Sequence, residues 1–261
     1  YAIIALGYTM VYGIAKMLNF AHGDVIMIGA YTIFATVSMA GLPPVLGILL
    51  SVVLCTLLGI AIEAIAYRPL RQASSSLVVL ITAIGVSYFL QNIALLIFGA
   101  NTKAFTSVVN VPSLSLAGGQ ITISGETIVT ILSCIVIMIG LTLFVNKTKA
   151  GQAMLAVSED KGAAQLMGIN VNGTISLTFA IGSALAAGSM PGIKAFVAAV
   201  FGGIGSIPGA LIGGIILGII EILSKAYISS QLSDAIVFMV LIVVLLVKPT
   251  GILGKKIQEK V

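Results

Sequence analysis

The sequence predicts an all-α protein: a polytopic bundle of transmembrane helices with about eight membrane segments, one of them Gly-rich and broken or re-entrant. Three observations predict it. Of 261 residues, 59% are apolar and 8% charged, against about 25% charged in an ordinary soluble domain, so water cannot be the solvent for most of the exterior. The apolar residues run continuously rather than alternating, which excludes a transmembrane β-barrel; an isolated strand in lipid would leave backbone groups unpaired. Lysines and arginines gather at the ends of the runs, as the bias of basic residues toward the cytoplasmic side requires. No polar segment is long enough to fold separately, so residues 1–261 read as one membrane domain.

The first apolar run ends near Ile14 and is short for a span of about 20 residues, so further residues are expected before Tyr1. Runs at 25–40, 45–66, 77–98 and 128–145 follow, then 174–187, a Gly-rich segment at 193–223 and a last span at 235–247. Arg68 and Arg71 follow one span, Lys147, Lys149 and Lys161 another, and Lys248, Lys255, Lys256 and Lys260 the last. All three clusters fall on the cytoplasmic side if the Gly-rich segment enters and leaves on one side. The polar loop 99–125, whose only basic residue is Lys103, is then outside. The 174–187 run is anomalous: about 21 Å of helix against a core of about 30 Å. It is either a half-helix or short of residues near Gly188, and a discontinuity is expected between Ala187 and Gly188.

Three stretches could carry function. Asn19-Phe20-Ala21-His22-Gly23-Asp24 joins two apolar runs and holds the chain's only histidine. Such groups are costly in lipid and mark water-filled paths; Gly23 would then let the helix break. The other reading is a short cytoplasmic turn with Asp24 as helix cap. Residues 148–170 form the longest polar stretch on the predicted cytoplasmic side. A short helix with small faces at Ala153, Ala156, Ala163 and Ala164, charged at Glu159, Asp160 and Lys161 and ended by Gly168, suits docking into a partner's groove; a solvated connection is the alternative. Gly202, Gly203, Gly205 and Pro208 form a hinge in the third stretch. It lacks the Gly-Lys-Ser/Thr ending of a phosphate-binding loop, and a broken membrane helix accounts for it. Gly213, Gly214 and Gly218 permit close helix packing.

The remaining polar residues point away from chemistry. Glu63 and Glu221 read as structural or interfacial carboxylates. Cys55 and Cys134 lie in apolar runs without metal-ligand or disulfide spacing. One His and one Asp are too few for a metal, and no catalytic constellation is present.

Taken in order, these stretches resemble the LivH-type permease of branched-chain amino-acid ABC importers. Ala5-Leu6-Gly7-Tyr8-Thr9-Met10-Val11-Tyr12-Gly13 is similar to that family's first helix, and Asn19 to Asp24 to its next signature. Tyr67-Arg68-Pro69-Leu70-Arg71, Gly85-Val86-Ser87, Ala163-Ala164-Gln165-Leu166-Met167-Gly168-Ile169-Asn170, Lys194 to Val200 and Lys248-Pro249-Thr250-Gly251 continue the match nearly end to end. The departure lies between Ala187 and Gly188, where family members have roughly a helix end and a loop more. The resemblance implies a transport subunit, not an enzyme, in the inner membrane of a prokaryote, working by alternating access. It implies a second, LivM-like permease, two cytoplasmic ATPase subunits and an external binding protein as partners. ATP is then used on those partners, and this chain binds no cofactor. Glu159 and Asp160 would lie in the loop contacting an ATPase. An importer for urea or short amides would share the fold. A secondary transporter or channel acting alone would need coupling-ion sites, and only scattered acids are present.

Overall fold

A computed structural model describes residues 1–17, 19–72, 76–101, 112–116, 121–185, 192–203 and 205–254. Helix dominates. The chain begins with α1 (Ala2–Ala15), α2 (His22–Ile33), α3 (Pro44–Ile62) and α4 (Ser76–Phe98). After α4 come β1 (Leu114–Leu116) and β2 (Ile121–Ile123), an antiparallel pair matching Ser115 with Thr122 between α4 and α5. The second half contains α5 (Gly125–Lys147), α6 (Lys149–Glu159), α7 (Lys161–Leu166), α8 (Val171–Ala184), α9 (Gly192–Gly202), α10 (Ile207–Tyr227) and α11 (Ser233–Val247).

Among the described residues, four helices are long and apolar enough to cross a membrane: Pro44–Leu70, Leu77–Phe98, Gly125–Lys147 and Ile207–Tyr227. Ala2–Ala15 and Ser233–Val247 are apolar but shorter. The apolar runs located these helices to within a few residues, apart from Ile207–Tyr227, which lay unseparated in the Gly-rich segment 193–223, because lipid leaves the backbone no other way to satisfy its hydrogen bonds. The strand pair was not anticipated. It stands outside the apolar runs, where that constraint does not act.

Local chemistry sets the boundaries. Pro44 opens α3, at a position where its missing N–H costs nothing. Side-chain oxygens of Ser124, Thr148, Asp160, Asn170 and Ser206 accept backbone N–H bonds at the starts of α5, α6, α7, α8 and α10. Helices α2 and α3 each continue as wider π-helical turns, Phe34–Met39 and Glu63–Tyr67.

Helix α1 is the centre of the bundle. One face packs Ile4, Val11 and Ala15 with Val25, Ile26, Cys55, Tyr67 and Phe179. The other packs Leu6, Met10 and Ile14 with Val197, Phe201, Leu217 and Met154. Small residues allow the close approach that membrane helices use in place of a hydrophobic drive. A Cβ on Gly7 would stand 2.8 Å from the carbonyl oxygen of Gly182, and one on Gly214 would stand 2.6 Å from Cα of Ala2. Helices α4 and α5 join this core on one face, through Ala83 and Leu90 and through Leu141 and Val145, and present apolar side chains outward on the other, Leu96 at 84% and Val136 at 67% exposure.

The Gly-rich segment is a broken pair, α9 and α10, whose far ends meet: Lys194 near the start of α9 bonds Glu221 near the end of α10 at 2.9 Å. It therefore enters and leaves on the same face. That is the condition under which the basic clusters after the spans share one side of the membrane. The expected discontinuity at Ala187–Gly188, like Lys103, Lys255, Lys256 and Lys260, lies outside the described residues.

Candidate functional site

The site is built by a break between α1 and α2. Lys16 takes a left-handed backbone conformation, φ 56°, with its N–H bonded to the Tyr12 carbonyl. Beyond Lys16 the chain leaves α1, and α2 starts beside the middle of α1. The rings of Tyr8 and His22 meet edge to face at 4.4 Å. Gly7, Gly182 and His22 share one level, since a Cβ on Gly7 would stand 2.8 Å from the Gly182 oxygen and 2.9 Å from Nε2 of His22. From Val171 to Gly182 is about 16 Å of helix. His22 therefore lies inside the hydrocarbon layer of about 30 Å, not at its edge.

This corrects two expectations. The break falls at residues 16–21, with His22, Gly23 and Asp24 in the first turn of α2, so Gly23 is helical and opens nothing. Asp24 is no cap, since Ala21 occupies that position; its Oδ1 accepts from Nε2 of Gln91 at 3.0 Å and ties α2 to α4. Nor is the stretch a cytoplasmic turn. Asn19, His22 and Asp24 are all buried.

A cleft opens beside the break, lined by Tyr8, Val11, Tyr12, Asn19, His22, Phe196 and Ala199. Asn19 is held by the Tyr67 hydroxyl, which donates to its Oδ1 at 2.9 Å. His22 is fully buried, and neither ring nitrogen has a hydrogen-bond partner among the described residues. A buried polar group without a partner is costly, which sets His22 apart from the satisfied polar residues around it. Phe196 meets Tyr8 edge to face at 5.5 Å and Phe20 at a tilt at 5.7 Å, bringing α9 to the cleft. That contribution was not legible in the sequence, where Phe196 is one aromatic within an apolar run.

The hinge residues sit at the break between α9 and α10. Gly202 ends α9, Pro208 lies in the first turn of α10, and Gly203 and Gly205 have φ of 108° and 95°, a region side chains rarely adopt. The segment after α11 closes over the break. Ile252 and Leu253 donate their N–H groups to the carbonyls of Phe201 and Gly202, satisfying the end of α9.

The 148–170 stretch forms two helices rather than one. Asp160 interrupts them: its Oδ1 accepts from the N–H groups of Gly162 and Ala163 at 2.8 and 3.0 Å, which starts α7 afresh. Gly168, φ 81°, ends α7. Gly151, Met154, Val157 and Ala164 face inward and Ala156 is half-buried, while Glu159, Asp160 and Ala163 are exposed. Leu166 and Met167 project at 90% and 82% exposure, an apolar tip passed over in the sequence because it follows the expected pattern of a helix end.

Two charge networks frame the bundle. At one end Glu63, fully buried, accepts from Arg68 at 3.0 Å and from the Ser176 hydroxyl at 2.5 Å. At the opposite end Glu221 accepts from Lys194, Lys225 and the Tyr1 hydroxyl, and Lys194 also pairs with Asp234 at 2.6 Å. Both carboxylates have the structural surroundings expected of them; Arg68 and Lys225 are near in sequence, whereas Ser176, Lys194 and Tyr1 are remote and could not be named beforehand. Among the described residues no three His, Cys, Asp or Glu side chains group to hold a metal.

A bundle with an apolar exterior, a buried polar break and a helical extension at one end is the build of a membrane transport protein. The chain matches, over residues 1–189 and 186–245, the family described as the permease component of the branched-chain amino acid transport system, and it belongs to that family. It is 43% identical to the high-affinity branched-chain amino acid permease protein LivH of Salmonella typhimurium, with all of this chain and 93% of the relative covered. It is 44% identical to LivH of Escherichia coli over the same shares, and 43% identical to BraD of Pseudomonas aeruginosa over 94% of that protein. The alignment with LivH spans 288 positions against the 261 residues here, so the relative carries additional residues within the matched range. The two family segments meet at 186–189, where the short span fell in the sequence. No solved structure matches the chain.

Proposed function

We propose that this chain is one of two related permease subunits of an ATP-driven importer in a prokaryotic inner membrane, carrying leucine, isoleucine or valine by alternating access. The observation that carries the reading is the α1–α2 break, which puts a buried, unpartnered His22 and an oriented Asn19 in a cleft inside the membrane. Val11, Phe196 and Ala199 give the same cleft apolar walls. The names of the relatives support the substrate class. A LivM-like second permease, two cytoplasmic ATPase subunits and an external binding protein complete the assembly, with ATP hydrolysed on the partners. The α6–α7 extension is the surface offered to an ATPase.

The test is uptake by the reconstituted assembly. ATP-dependent accumulation of radiolabelled leucine, lost when the ATPase subunits are omitted, is the expected result. Accumulation of urea in place of leucine would move the chain to an amide importer. Leucine uptake persisting without the ATPases would overturn the ATP-driven mechanism.

A further inference from the structure

We propose that Lys161 is the positioning residue through which the cytoplasmic extension acts on the membrane cleft. The ammonium of Lys161, first residue of α7, donates to the carbonyl oxygen of Ala15 at 3.2 Å. Ala15 is the last residue of α1, and the next residue, Lys16, carries the left-handed turn that starts the break. A cation at a helix C-terminus bonds carbonyls that have no partner within the helix and opposes the negative end of its dipole. Lys161 thus holds the end of α1 at the point where the chain leaves it.

The packing beneath makes this contact a transmission. Met154 of α6 lies in one cluster with Met10 and Ile14 of α1, and Val157 lies in the other with Ala15. A force displacing α6 and α7 is delivered to the last turns of α1 through Met154 and Val157 and, at its very end, through Lys161. From there residues 16–21 lead directly to His22. The break is a two-ended element: Lys161 holds one end, and the Tyr67 bond to Asn19 holds the other. Small interface shifts become larger rearrangements where a packed element has two discrete arrangements.

The inference rests on the ATP-driven reading, and the experiment separates the two. Lys161→Met, Lys161→Gln and Lys161→Arg are compared with the parent in the complete reconstituted assembly, after co-purification and thermal unfolding verify each complex. Two quantities are read: leucine taken up per ATP hydrolysed, and the maleimide reaction rate of a Phe20→Cys probe, with Cys55 and Cys134 replaced, in the presence and absence of ATP and vanadate. Phe20 is 40% exposed and lies within the break. Uptake per ATP falls at least about fivefold in Lys161→Met, the low end of site-to-site couplings. The nucleotide dependence of Phe20→Cys labelling disappears with it, and Lys161→Arg restores both. Parental coupling and labelling in Lys161→Met overturn the inference. So does equal behaviour of Lys161→Met and Lys161→Arg. If Lys161→Met does not assemble, Lys161→Gln, which keeps an N–H donor without charge, must show partial coupling, and full coupling there overturns the electrostatic hold. A parent that accumulates no leucine with ATP overturns the functional reading itself, and the inference with it.

Discussion

At Gly7 a hydrogen atom does what no other side chain could. Its missing Cβ lets α1 touch both α8 and the ring of His22. Gly7→Val forces backbone apart, and overpacking of this kind costs about 1–3 kcal/mol; a lower unfolding temperature of the purified chain is the check. His22 works in the opposite sense, since its nitrogens have no bond among the described residues to lose. His22→Ala is expected to leave assembly intact and cut leucine uptake by roughly tenfold or more, the worth of a hydrogen bond to a charged group. Uptake within twofold of the parent would remove His22 from the pathway. The polar stretch could be located in the sequence because Asn19, His22 and Asp24 have no reason to stand between apolar runs. The break itself could not, because Lys16 carries its positive φ without a Gly or Pro to announce it. Gly23, the residue that invites a break, is instead held helical by the turns on either side.

Among the elements, α3 and the paired α6 and α7 show what sequence periodicity misses. The apolar run of α3 was legible, but its π-helical and 3-10 continuation, where Glu63 turns inward to Arg68 and Ser176, depends on a partner 113 residues away. Arg68→Ala leaves the Glu63 carboxylate buried with the hydroxyl of Ser176. Because Arg68 is 44% exposed, the cost is expected near the lower end for a broken ion pair, about 2 kcal/mol, read as a drop in thermal stability larger than that of Glu63→Gln with Arg68→Gln together. At α7, Asp160→Ala removes the cap and costs about 1 kcal/mol locally. Faster amide exchange confined to residues 161–166 is the signature, whereas Asp160→Asn retains protection. Charge reversal at exposed Glu159 weakens assembly with the ATPase if α6 and α7 are the docking surface; co-purification at parental yield excludes Glu159 from that contact.

Across the whole molecule, the bundle is organised around two cavities in regularity, the α1–α2 and α9–α10 breaks, joined where Gly13 approaches Gly205. The arrangement keeps irregular backbone inside protein, as lipid demands. In the proposed orientation the opposite end, which carries Lys194 and Lys225, is the outer one, so these are two cations on the face that basic residues usually avoid. Both are bonded to Glu221, and Lys194 also to Asp234. During biogenesis this gives the network a role distinct from folding stability. Cations that must be exported against the membrane potential can leave the insertion machinery as neutral pairs, and the lysines then exert no pull on topology. Glu221→Gln strands them with one carboxylate, so a fraction of newly made chains should retain that end in the cytosol. Protease protection of spheroplasts, with a cleavage site placed after Tyr227, would register those inverted chains.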